Sequence, residues 1–271
     1  MEKRKEEIQG TEKEFLTVFN QLCYSRQSWQ VWADLISAMA CAIANISEVN
    51  PKRRADREKE YERCLKELGG DAGVIAKLFA VVVMALENNP EQDFLGALYM
   101  QLNLGSHWHG QFFTPASVAK MMSQVSVEDT IKRRTESEDY ISVIDPSCGA
   151  GVTLISAAAI FRERGINYQQ EVLFTGQDID RVAGQMCYIQ LSLLGCAGYI
   201  CIADTLGNPV TGPPLQPQEK TGQEFWYTPF YYSDIWQTRI FAQNMRRRMR
   251  GGGIVTTQKT VGKDGKGEKG C

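Results

Sequence analysis

The sequence predicts an α/β fold, a sheet with parallel strands set behind an α-helical N-terminal domain. Three observations predict it. Short apolar runs at Ile141–Ile144, Val172–Gln177 and Tyr199–Ala203 have strand length and are separated by helix-length stretches. Each run ends at an acidic residue, Asp145, Asp178 or Asp204, and the first of these opens a glycine turn. Residues 1–105 instead carry their apolar positions at helical spacing.

In that N-terminal region Phe15, Val18, Phe19 and Leu22 share one helix face, and Trp32, Leu35, Ile36, Met39 and Ile43 share a second. Ser47 to Arg63 is charge-rich around Pro51 and reads as a loop entering a solvated helix. Asp71 can cap a third long helix running through Leu86, apolar enough to be buried. The apolar runs around Val31–Ala44 and Ala72–Leu86 carry Asp34 and Lys77 and are too short to cross a bilayer. The expected task of this domain is to cover one face of the sheet, or to meet a partner or DNA.

A helix is expected to start at Thr114-Pro115, with Thr114 as N-cap and Pro115 at the first helical position. Val118, Met121, Met122 and Val125 give it one apolar face. The strand Ile141–Ile144 then runs into Asp145-Pro-Ser147-Cys148-Gly149-Ala-Gly151 and a helical stretch from Val152 to Arg164. Glycines there let backbone approach a ligand, and the free N–H groups of the following helix favour an anion. Gly-x-x-x-x-Gly-Lys is absent from the turn, which disfavours nucleotide triphosphate hydrolysis. The second strand ends at Asp178-Ile179-Asp180, where a carboxylate can accept bonds from ribose hydroxyls. The third ends at Asp204-Thr205-Leu206, where a carboxylate can hold an exocyclic amine and Leu206 can pack on a base. The plainer reading of any one of these aspartates is a helix or turn cap.

Net charge is −2, so no global field draws nucleic acid to the 271-residue chain. Basic residues cluster locally at Lys52-Arg53-Arg54 and at Arg246 to Arg250, as solvated faces or phosphate contacts. Eight cysteines without a Cys-x-x-Cys pair, and no signal peptide, point to reduced thiols and a cytoplasmic location. His107 and His109 flank Trp108, too few ligands for a metal, so neither metal nor membrane is expected. Ser233 to Arg250 reads as helix, and Gly251–Cys271, rich in glycine and lysine, as a disordered tail.

Asp145 to Gly151 resembles the first S-adenosylmethionine motif of N6-adenine DNA methyltransferases, in particular the modification subunits of type I restriction systems. Gly110-Gln-Phe-Phe113-Thr114-Pro115 resembles the element that precedes this motif, and Gly176-Gln-Asp178 and Asp204-Thr-Leu206 match the second and third motifs. The resemblance spans Gly110 to Leu206. It implies a Rossmann-like methyltransferase sheet over residues 106–250, S-adenosylmethionine as cofactor, and adenine N6 methylation of DNA. It also implies cofactor-binding roles for Phe113, Thr114, Pro115, Asp145, Ser147, Gly149, Gly151, Asp178, Ile179, Asp204 and Leu206. A specificity or complementing protein subunit is an implied partner beside DNA.

One family feature is missing. The Asn-Pro-Pro-aromatic tetrapeptide that orients the target amine occurs nowhere. Thr228-Pro229-Phe230 stands at about the right distance as the degenerate catalytic candidate. A threonine hydroxyl cannot supply an amide's paired donor and acceptor. Beyond the three strands only one more can be placed, near Glu224 to Thr228. Either a partner completes the sheet, or the chain is a truncated or repurposed cofactor-binding module. The alternative function is therefore a catalytically impaired subunit that binds S-adenosylmethionine or DNA and needs a partner chain. A methyltransferase acting on RNA or protein is a third reading.

Overall fold

The computed structural model describes residues 2–104, 113–133 and 139–251. Gly110–Phe112, His107, His109 and the tail after Gly251 lie outside the described residues. Five helices come first, α1 (Glu2–Leu22), α2 (Ser28–Ser47), α3 (Pro51–Glu67), α4 (Ala72–Asn88) and α5 (Phe94–Gln101), followed by α6 (Ala116–Arg133). The α/β part is β1 (Ile141–Asp145), α7 (Val152–Glu163), α8 (Tyr168–Glu171), β2 (Val172–Asp178), α9 (Arg181–Leu193), β3 (Ala197–Ile202), β4 (Glu224–Tyr227) and α10 (Asp234–Gly251).

α3, α4 and α5 start where short polar side chains take up free N–H groups. Asn50 accepts from Lys52 and Arg53 with Pro51 next to it, Asp71 accepts from Gly73, and Asp93 from Gly96. α2 is long and apolar enough to cross a membrane by composition, yet 67% of that stretch is buried within the protein. Its Asp34 is paired with Arg26 and Arg63.

The sheet has the order β1-β2-β3-β4, with β1, β2 and β3 parallel and β4 antiparallel to β3. It is Rossmann-like. Side-chain alternation sorts the strand residues onto two faces. Phe174, Ile200, Ile202 and Trp226 point toward α7 and α9, in one hydrophobic cluster that reaches Phe15, Leu35 and Leu78 of the N-terminal helices. Leu173, Tyr199, Cys201, Phe225 and Tyr227 point to the other face, against Tyr231 and Trp236. The helices before residue 105 thus share one continuous core with the sheet, α2 and α5 packing directly on α9. At the outer edge, Arg57 donates to the Phe225 carbonyl at 2.8 Å, pairs with Glu48 and lies 4.4 Å over Trp226. That covers a strand edge that would otherwise be open to pairing.

Three expectations need correction. In the first basic run Lys52 and Arg54 are exposed as a solvated face, but Arg53 is partly buried and paired within the chain. It pairs with Glu219 and Glu48 and stacks over Tyr227. α6 buries Ala119, Ser123 and Val127 against α7, because these smaller side chains allow close approach and Ser123 bonds the Thr153 carbonyl. The apolar stripe of Val118, Met121, Met122 and Val125 faces solvent instead, Met121 and Val125 being 64% and 70% exposed. α6 also begins one residue later than expected, its first turn closing on the Pro115 carbonyl. Met121→Glu or Val125→Glu is accordingly expected to change stability by no more than about 0.5 kcal/mol, whereas Val127→Glu should cost several. Urea denaturation of the three variants checks this.

Candidate functional site

Because β1, β2 and β3 run parallel, their acidic ends emerge at one edge of the sheet. In an open α/β sheet this edge is where ligands bind. After Asp145 the chain folds back on itself. The Cys148 N–H donates to the Gln177 carbonyl at 3.0 Å and the Gly151 N–H to the Cys148 carbonyl at 2.8 Å. Gly149 and Gly151 have φ of 52° and 101°, the left-handed region that glycine enters without a Cβ penalty. A Cβ on Gly149 would meet the Phe113 ring at 3.2 Å, and one on Gly151 would meet Cys187 Sγ at 2.8 Å. Gly151 is the N-cap of α7 and supplies no side-chain acceptor. The first-turn N–H groups of α7 therefore receive no side-chain cap, the arrangement that can take an anion.

Each carboxylate ties the edge together. Asp145 accepts from the Ser147 N–H at 3.0 Å and from the Thr153 hydroxyl, joining the turn to α7. Asp178 accepts from the Gly149 N–H at 2.8 Å and the Asp180 N–H at 2.9 Å. Burial pushes the Asp178 carboxyl pKa up, and those two N–H bonds act against it. Each of its oxygens keeps a second lone pair for a ligand hydroxyl. Asp204 is exposed and accepts from the Leu206 N–H at 3.0 Å, while Thr205 donates to the Pro146 carbonyl. Ile179 and Leu206, 70% and 94% exposed, leave apolar surface beside these aspartates for a flat group.

The structure brings Phe113, Asp145, Ser147, Gly149, Gly151, Asp178, Ile179, Asp204 and Leu206 to this edge. Phe113 covers Gly149 and leans on Tyr99, ring centroids 5.4 Å apart. Thr114 and Pro115 follow it, exposed, into α6. Two organising residues carried no role in the sequence reading. Thr153 anchors Asp145, and Gln177, buried, donates to the Ala203 and Asn208 carbonyls and accepts from the Val210 N–H. An amide at the end of an apolar strand was the available signal.

Thr228, Pro229 and Phe230 are elsewhere. β4 is antiparallel, so it delivers them to the opposite edge, where the Thr228 N–H and hydroxyl bond Gly198 at the start of β3. From Gly198 to Asp204 is roughly 20 Å of strand at the usual rise per residue. Thr228 is 1% exposed and spends its polar groups on that contact. Distance along the chain alone points to Thr228; the pairing of β4 with β3 sets it, Pro229 and Phe230 away from the three aspartates.

The sequence model of the N-6 DNA methylase family matches residues 92–261, more than half of the chain. The chain belongs to the N-6 DNA methylase family. The matched span contains the glycine turn and all three strand-end aspartates of this family member. Among solved structures it is similar to the methyltransferase subunit of a type I restriction-modification system from Streptococcus thermophilus, with 16% identity and a TM-score of 0.38. That similarity covers 74% of this chain and 59% of the other, so the chain spans less than two thirds of the solved subunit. No curated protein matches it.

Proposed function

We propose that this chain holds S-adenosylmethionine at the edge formed by Asp145, Asp178 and Asp204, as part of a modification-subunit-like enzyme that methylates adenine N6 in DNA. The observation that carries the reading is the joint arrangement of the left-handed Gly149–Gly151 turn, the uncapped start of α7 and the Asp178 carboxylate. The residues fit the cofactor. The α7 N-terminus suits a carboxylate, Asp178 suits ribose hydroxyls, and Ile179 and Leu206 suit the two faces of a purine whose amine Asp204 can accept. Phe113 closes the turn from the side of the N-terminal helices. When bound, S-adenosylmethionine supplies an electrophilic methyl group for direct in-line transfer. The chain's own contribution is orientation, together with exclusion of water around a base taken out of the helix. DNA and a specificity or complementing subunit are the proposed partners, in the cytoplasm.

One observation favours the second reading, a subunit that binds cofactor or DNA without turning over alone. Among the described residues β1 pairs on one side only. A groove of about 220 Å³ runs beside it, lined by Met122, Val127, Val143, Ile144 and Pro146. Among the described residues Asn208, whose N–H bonds the Asp204 carbonyl, donates its side-chain amide to the Thr221 carbonyl at 3.0 Å and is not followed by Pro-Pro-aromatic. Losing an amine-orienting group costs about 100- to 1,000-fold in rate. Transfer of tritiated methyl groups to mixed DNA separates the readings. Little turnover by the purified chain, rising when a complementing subunit is added, is expected. Vigorous adenine methylation by the chain alone would contradict the need for a partner.

A further inference from the structure

Gln190 lies in the second half of α9 and is 0% exposed, in a buried segment with Met186, Cys187, Tyr188, Ile189 and Leu191. Burying an amide costs free energy unless its polar atoms are bonded. Here each one is. Oε1 accepts from the Leu95 N–H at 3.1 Å, and Nε2 donates to Asp93 Oδ1 at 2.8 Å and to the Ala150 carbonyl at 2.9 Å. Asp93 is in turn fixed as the N-cap of α5, accepting from Gly96. One side chain thus ties α5, α9 and the glycine turn together.

The contact with Ala150 is at the point where the turn needs holding. Ala150 precedes the α7 N-cap, so its carbonyl has no place in the helix ladder. The peptide from Ala150 to Gly151 is held by its N–H on the Cys148 carbonyl and by its C=O on Gln190. That peptide turns about the Ala150 ψ and the Gly151 φ, and Gly151, at φ 101°, has no Cβ to restrict it. Without Gln190, rotation of that peptide would be inexpensive, and the neighbouring N–H groups would no longer be preset for an anion.

We propose that Gln190, held by Asp93, is a positioning residue for the methyl donor, acting through the Ala150 carbonyl. The proposal rests on the donor-site reading of the glycine turn. Gln185 provides the control. It is equally buried on the same helix, its Oε1 accepts from Ser37 at 2.8 Å and its Nε2 has no partner, so neither polar atom involves the turn.

The test compares Gln190→Met with Gln185→Met by calorimetric titration of S-adenosylmethionine and by amide hydrogen exchange at Gly151. Gln190→Met, which loses three buried bonds, should lower the melting temperature. Only Gln190→Met should weaken donor binding, by about 10-fold for one lost buried bond, and speed exchange at Gly151. Equal donor affinities in the two variants overturn the proposal. If Gln190→Met does not fold, Asp93→Asn, which keeps an oxygen for Gln190 and Gly96, should retain affinity that Asp93→Ala loses. Equal affinity in that pair likewise overturns it. An unsubstituted chain that takes up no S-adenosylmethionine defeats the donor-site reading itself, and exchange at Gly151 tells that failure apart from failure of the clamp.

Discussion

Gly151→Val is expected to weaken S-adenosylmethionine binding sharply while the rest of the chain stays folded. A β-branched residue at φ 101° is strained, at a cost of about 1–3 kcal/mol. Its Cβ would also stand 2.8 Å from Cys187 Sγ and 3.4 Å from Cys187 Cα. The turn can relieve both only by moving away from α9, which breaks the Gly151 to Cys148 bond and redirects the first turn of α7. Loss of the anion cradle together with the strain predicts roughly 100-fold weaker binding, about 2.7 kcal/mol. Calorimetric titration measures it, with far-ultraviolet circular dichroism to check the fold. Undiminished affinity would show that the turn does not touch the donor.

Gly198→Ala should act on the fold instead. In β3 a Cβ at this position would lie 1.7 Å from the Phe174 carbonyl oxygen of β2, a backbone atom that cannot step aside. The clash sits between two paired strands with cores on both faces, so relief requires β2 and β3 to part near their start. It would also disturb the Thr228 bond that fastens β4. The expected loss is on the order of 3–5 kcal/mol, in the range of the severest single substitutions. Urea denaturation of the variant would read this as a large fall in midpoint. A midpoint equal to that of the parent chain would mean that β2 and β3 are not paired in this register.

What the sequence revealed was local in origin. The strand ends at Asp145, Asp178 and Asp204 were legible because a short apolar run, an acid and a glycine sit next to one another in the chain. Features decided by long-range packing were not. Glu224–Tyr227 has the composition of a strand, but four residues carry no mark of direction, and pairing with β3 decided it. The apolar stripe on α6 has core-like spacing, yet Ala119 and Ser123 permit a closer fit to α7, so the stripe faces outward. Arg53 looked like part of a solvated basic run because its partner, Glu219, is far off in sequence. Gln190 was hidden for the same reason, since its bonds reach back to Asp93 and Leu95.

The most direct measurement is calorimetric titration of S-adenosylmethionine into the unsubstituted chain and into Asp178→Ala. Asp178 accepts the Gly149 N–H and faces the ligand edge, so its loss removes a ribose acceptor and loosens the turn together. Saturable binding to the parent chain, weakened by roughly 1–3 kcal/mol in Asp178→Ala, is the predicted result. Equal affinity in the two proteins, or no binding by either, would contradict a methyl-donor site at this edge.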